Sequence, residues 1–204
     1  MSEGNMVKKN TRQWDSIIFF AAGSFMLVNV VCLWMRYISD FRLSILWAAI
    51  PGIIAFAASV IGLLRLYPRI SSKSPSLARS GAGFALVASA ALCMAAIWIV
   101  VVSVFAGGIS EPPPNGILAL AGIFIVAMVI AFICNAIAFL INSYSRNIGY
   151  LLAIPVASWS AMLFVGMIKG MEAGLSLDLY TNGLIAASFL SLGVFLRKMT
   201  HQDI

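Results

Sequence analysis

Six apolar runs, at about residues 16–35, 43–66, 81–106, 116–141, 148–168 and 177–196, make up most of this 204-residue chain. A helix needs roughly 20 mostly apolar residues to cross a bilayer, and every backbone polar group at that depth must be bonded within the protein. Helices and closed barrels both meet the second condition. Barrel strands alternate apolar and polar side chains over about 10 residues, whereas these runs are apolar all round and far longer. The expected fold class is therefore all-α, a polytopic transmembrane helical bundle of about six spanning helices. Short connections leave no room for a separate soluble domain, so residues 1–204 read as one transmembrane domain. Composition agrees: only 10% of residues are charged, against roughly 25% in soluble domains, too few to cover a water-facing surface.

The first run, Ser16 to Met35, is as long as a full span, and no convincing small-residue cleavage site follows it. A signal-peptide core is shorter, roughly 7–15 residues, so this run reads as a retained helix. Pro51-Gly52 and Pro155 fall inside the second and fifth runs and should bend them or loosen a turn. A packing role is expected for both. Pro112-Pro113-Pro114, between the third and fourth runs, favours a stiff polyproline II segment.

The net charge of +6 would suggest a nucleic-acid partner in a soluble chain. Here no long basic block exists, and the basic residues sit in short loops and tails. Lys8, Lys9, Arg12, Arg65, Arg69, Lys73, Arg79, Arg146, Arg197 and Lys198 fall on the side that holds both termini; Arg36, Arg42 and Lys169 fall on the other. Basic loops stay cytoplasmic, so the expectation is a multi-pass protein of the cell membrane, both termini inside, with no nucleic acid as partner. Trp14, Tyr67, Tyr144 and Tyr150 mark the inner interface, and Trp34, Tyr37, Trp47 and Tyr180 the outer one. Arg65, Arg69, Lys73 and Arg79 also put four cations where anionic lipid would attract them, an anchoring effect. Tyr-x-Arg recurs at Tyr67-Pro68-Arg69 and Tyr144-Ser145-Arg146, and reads as interfacial anchoring at two equivalent helix ends, with a remnant of a repeated helix hairpin as the alternative.

Arg65 and Asp178 lie at the borders of their runs and are assigned to the loops; the six spans otherwise hold no Asp, Glu, Lys, Arg or His. Proton relays, voltage sensors and ion-coupled carriers usually need ionisable groups at membrane depth. Intramembrane hydrolases need carboxylates, histidines or a nucleophile with its base. The chain is therefore expected not to be an enzyme. Catalysis would have to come from loop carboxylates such as Asp40, Glu111 or Glu172. These three and Asp178 share no ligand spacing and read as a solvated outer face. Cys32, Cys93 and Cys134 are far apart in sequence with no CxxC, and the one histidine, His201, is in the tail. No metal site, haem or other cofactor is expected.

The remaining core polar groups are neutral: Asn29, Ser89, Asn135, Ser158, Ser160, Asn182, Ser188 and Ser191. Hydrogen bonding between helices or to the helix backbone is the expected role. Asn135, Asn29, Ser158 and Ser160 are the candidates for a polar lining, Asn135 first because its amide lies well inside the fourth run. Small residues four apart, Ala85-Ser89-Cys93, Ala127-Ala131 and Gly183-Ala187-Ser191, predict that the third, fourth and sixth helices pack closely.

The Leu-Tyr-Pro-Arg end of the second run (Leu66 to Arg69), the Ser145-Arg146-x-x-Gly149 opening of the fifth and the six-span layout resemble small uncharacterised six-helix membrane proteins of archaea and bacteria. That resemblance implies the fold and no activity. The uncharged core, the packing faces and the minimal loops point to action by association with a membrane protein partner or in a homo-oligomer, or to membrane organisation or sensing, with the lipid bilayer as constant surroundings. A carrier or binder of a neutral or amphiphilic small molecule is the alternative, motivated by the prolines and the neutral Asn and Ser side chains.

Overall fold

A computed structural model describes residues 3–39, 46–105, 115–141, 146–170 and 177–202. Its elements are six α-helices: α1 (Glu3–Ile38), α2 (Leu46–Ser71), α3 (Pro75–Phe105), α4 (Asn115–Ile141), α5 (Arg146–Lys169) and α6 (Asp178–Gln202). All six are long and apolar enough to cross a membrane. The protein is thus an all-α, multi-pass membrane protein. The helices match the six apolar runs but overshoot them. α1 begins at Glu3, whereas its spanning part begins at Trp14, so eleven residues of helix precede the span. At 1.5 Å per residue that is about 16 Å.

Each helix packs on its neighbours in sequence, and α6 returns to pack on α1. The result is a closed ring, with α2 also touching α4 across the interior. The expected close packing of the third and fourth helices is present. The sixth packs instead on α1 and α5. Its stripe of Ala187 and Ser191 is exposed, and the face it buries is Ile185, Ala186, Phe189, Leu192 and Leu196. Small-residue spacing marks a face that permits close approach, and on α6 a different small residue serves. A Cβ on Gly193 would lie 3.0 Å from the Phe20 ring, so α1 and α6 meet backbone to ring at that point.

Aromatic rings fill the centre. Phe19 (α1) lies against Phe189 (α6), centroids 6.1 Å apart, and Phe189 stacks on Phe132 (α4) at 5.9 Å. Phe132 meets Trp159 (α5) at 6.0 Å, Trp159 meets Phe56 (α2) at 5.7 Å, and Phe56 meets Phe124 (α4) at 5.1 Å. These separations are in the favourable range for tilted and edge-on ring pairs. One continuous run of rings therefore joins five of the six helices. α3 stands outside it and buries small side chains, Ala78, Ala85, Ala88 and Ala91.

Pro155 shows how a helix-breaking residue is accommodated. It has no N–H, so the Leu151 carbonyl one turn earlier loses its usual donor. The Ser188 hydroxyl of α6 donates to that oxygen at 2.6 Å. Replacement of Ser188 by alanine is expected to lower stability by about 1 kcal/mol, within the range for interhelical bonds in membranes. In a Pro155→Ala background the same change should cost almost nothing, because residue 155 then supplies its own N–H. A thermal-unfolding double-mutant cycle measures this coupling, and additive effects would refute it.

Candidate functional site

Two polar clusters, one at each end of the ring, gather ionisable groups that lie at or just beyond the borders of the apolar runs. Asp15 is the first. It lies just after Trp14, where the span of α1 begins, and is only 3% exposed. Arg65 and Arg69 stand four residues apart on α2, a spacing that puts both on one helix face. The Arg65 Nε donates to one carboxylate oxygen at 2.8 Å and the Arg69 Nη2 to the other at 2.6 Å. One carboxylate thus faces two guanidiniums, which are 34% and 24% exposed. Next in sequence, the Ser16 hydroxyl donates to the Gly193 carbonyl of α6 at 2.8 Å. Two successive residues therefore tie α1 to both of its neighbours.

The second cluster is at the opposite end. Asp178 belongs to the first turn of α6 and is half-buried, which corrects its assignment to a solvated loop. Its Oδ1 accepts from the Asn182 Nδ2 at 3.0 Å. The same amide donates to the Asn29 Oδ1 of α1 at 3.2 Å, and the Asn29 Nδ2 donates to the Ala48 carbonyl of α2 at 2.7 Å. A carboxylate, two amides and a backbone carbonyl thus join three helices in series. Gly52 makes room for this: a Cβ there would lie 3.0 Å from the Asn29 amide nitrogen. Gly52 thus serves packing by seating Asn29.

The four candidate lining residues do not converge. Asn29 is buried in the α1–α2–α6 tie. Asn135 is buried near the other end of the bundle, and its Nδ2 donates to Ala131 one turn earlier in its own helix at 2.8 Å. A Cβ on Gly81 would come within 2.7 Å of that same nitrogen, so the amide fills the α3–α4 contact. Ser158 is buried on α5, while Ser160, two residues on, is exposed on the outer face and lines no interior surface. Trp14, Trp34, Tyr37, Trp47, Tyr150 and Tyr180 are all more than half exposed near the ends of the spans, as interfacial aromatics require, whereas Tyr67 is partly buried and packs against the core. Tyr144, Asp40, Glu111 and Glu172 lie outside the described residues.

Among the described residues, no three of His, Cys, Asp and Glu gather closely enough to hold a metal ion. Cys32, Cys93 and Cys134 are free thiols. Chemically, the two clusters fasten helices to one another. The ionic one had a legible signal: an Asp beside an interfacial Trp at the mouth of one span, and two Arg four apart at the matching end of the next. Searches of protein-family models, of curated proteins and of solved structures find no match to this chain.

Proposed function

We propose that this multi-pass protein is non-catalytic and acts in the cell membrane by association, with a membrane protein partner or with further copies of itself, organising or sensing the membrane around it. Both termini face the cytoplasm in this reading. The carrying observation is the filled interior: rings occupy the centre from Phe19 to Phe124, the Asn182 amide donates to Asn29 and Asp178, and the Asn29 amide donates to the Ala48 carbonyl. Such an interior favours a static support whose business is done on its outer surface. The orientation is supported by ten basic residues on the side of the termini against three on the other.

Native mass spectrometry of the protein released gently from its own membrane tests the reading. A reproducible partner subunit or a fixed homo-oligomer is the expected result. A lone monomer carrying one discrete small molecule would overturn it in favour of a carrier or binder. A reporter at the C-terminus that is active only in the cytoplasm reads the orientation.

A further inference from the structure

The two ends of the molecule differ strongly in charge. By position in the sequence, the end with both termini carries its ten basic residues against Glu3, Asp15 and Asp203, and the other end carries Arg36, Arg42 and Lys169 against Asp40, Glu111, Glu172 and Asp178. That is +7 against −1, which together give the +6 of the chain. A topological bias requires only that basic residues be on the correct side of the membrane, anywhere in the loops. It does not require the register found here.

Arg65, Arg69 and Lys73 recur every four residues, running up one side of α2 and into the turn that follows Ser71. Arg79 follows in the opening turns of α3 and is exposed, as is Lys73. Below these cations lies the buried carboxylate of Asp15. It holds two guanidiniums, 34% and 24% exposed, in fixed positions at the interface, beside the exposed Lys73 and Arg79. Exposed apolar side chains stand beside these groups in both helices, next to Asp15 on α1 and one turn before Arg65 on α2. Trp14 is 55% exposed and Ile17 44% on α1, and Ile61 is 51% exposed on α2. A cationic rim above exposed apolar side chains is complementary to a ligand with a phosphate at one end and acyl chains at the other.

We propose that the end of the α1–α2 hairpin that carries Asp15 binds the headgroup of an anionic phospholipid. Arg69 and Lys73 contact the phosphate, and Asp15 positions Arg65 and Arg69. The commitment is to a lipid rather than to soluble phosphate because the exposed Trp14, Ile17 and Ile61 offer the acyl chains a surface. The proposal does not depend on which side of the membrane this end faces, nor on whether the protein has a protein partner.

The test is native mass spectrometry of the full chain released from bilayer discs of equal phosphatidylglycerol and phosphatidylcholine, counting the lipids retained. Selective retention of phosphatidylglycerol is expected. Arg69→Gln/Lys73→Gln should lower its affinity about 30-fold, the effect of two charges near an anionic surface. Lys73→Gln/Arg79→Gln leaves the Asp15 ion pairs intact and should still weaken retention, so the proposal stands or falls even if the first variant folds poorly. Arg197→Gln/Lys198→Gln removes equal charge at the end of α6 and should retain the lipid as the wild type does. Equal loss in this last variant would reduce the effect to general surface charge and overturn the site. Retention of both lipids alike, or displacement of phosphatidylglycerol by millimolar inorganic phosphate, would overturn it as well.

Discussion

Asp15→Ala is expected to destabilise the protein by about 3 kcal/mol, read as a fall in melting temperature in detergent or bicelles. Removing one partner of a buried ion pair typically costs roughly 3–5 kcal/mol, because the remaining charge stays desolvated without compensation. The low end of that range applies, since Arg65 and Arg69 are partly exposed and their guanidiniums can turn toward water and headgroups. The two arginines, four residues apart on one face, would also be left to repel each other. A triple variant, Asp15→Ala with Arg65→Met and Arg69→Met, should recover most of the loss, because replacing a whole buried ionic group by apolar residues is often neutral or stabilising. If Asp15→Ala melts with the wild type, the ion pairs contribute nothing, and the α1–α2 contact is held by packing such as Gly62 against Phe19.

The fold was legible because length and apolarity alone decide whether a segment can span a bilayer. Each of the six runs meets both criteria, and the helices run up to six residues past the borders of the runs at the end of α2, the start of α3 and the end of α6, and further only at the start of α1. There the polar stretch before Trp14 continues as helix, since water satisfies its side chains and the apolar criterion detects only the part in lipid. Tertiary pairing was less legible. The contact of α6 with α1 joins the two ends of the chain, and no local pattern names a partner so distant in sequence. The small residues Ala187 and Ser191 misdirected that reading because spacing describes a face and not what meets it. The polar clusters were missed for a related reason. Assigning Asp178 and Arg65 to loops treated the span border as solvent, whereas the helices bring Asp15 under two arginines and Asp178 against Asn182. Asn29 and Asn135 both read as core amides from their place in the runs, yet position along a run does not separate the bond of Asn29 to another helix from the bond of Asn135 within its own.

Phe132→Ala should be about as damaging as the loss of Asp15, near 3 kcal/mol, for a different reason. Phe132 is completely buried and touches both Phe189 and Trp159. Lipid tails are as apolar as the core, so expulsion from water contributes little to its place there. What is lost is contact: a phenyl-sized cavity contributes about 2 kcal/mol, and two ring pairs contribute roughly 0.5–1.5 kcal/mol each. Phe164 on α5, 60% exposed, is the control. In a purified monomer Phe164→Ala exchanges ring contact with lipid for methyl contact with lipid and should change stability by less than about 0.5 kcal/mol. Equal damage from both variants would mean that the ring cluster is not a distinct core. The pair also bears on association. If Phe164→Ala is harmless in the isolated protein but shortens its lifetime in the native membrane, while Phe132→Ala is harmful in both, then another protein covers the outer face of α5 and Phe164 lies within that contact.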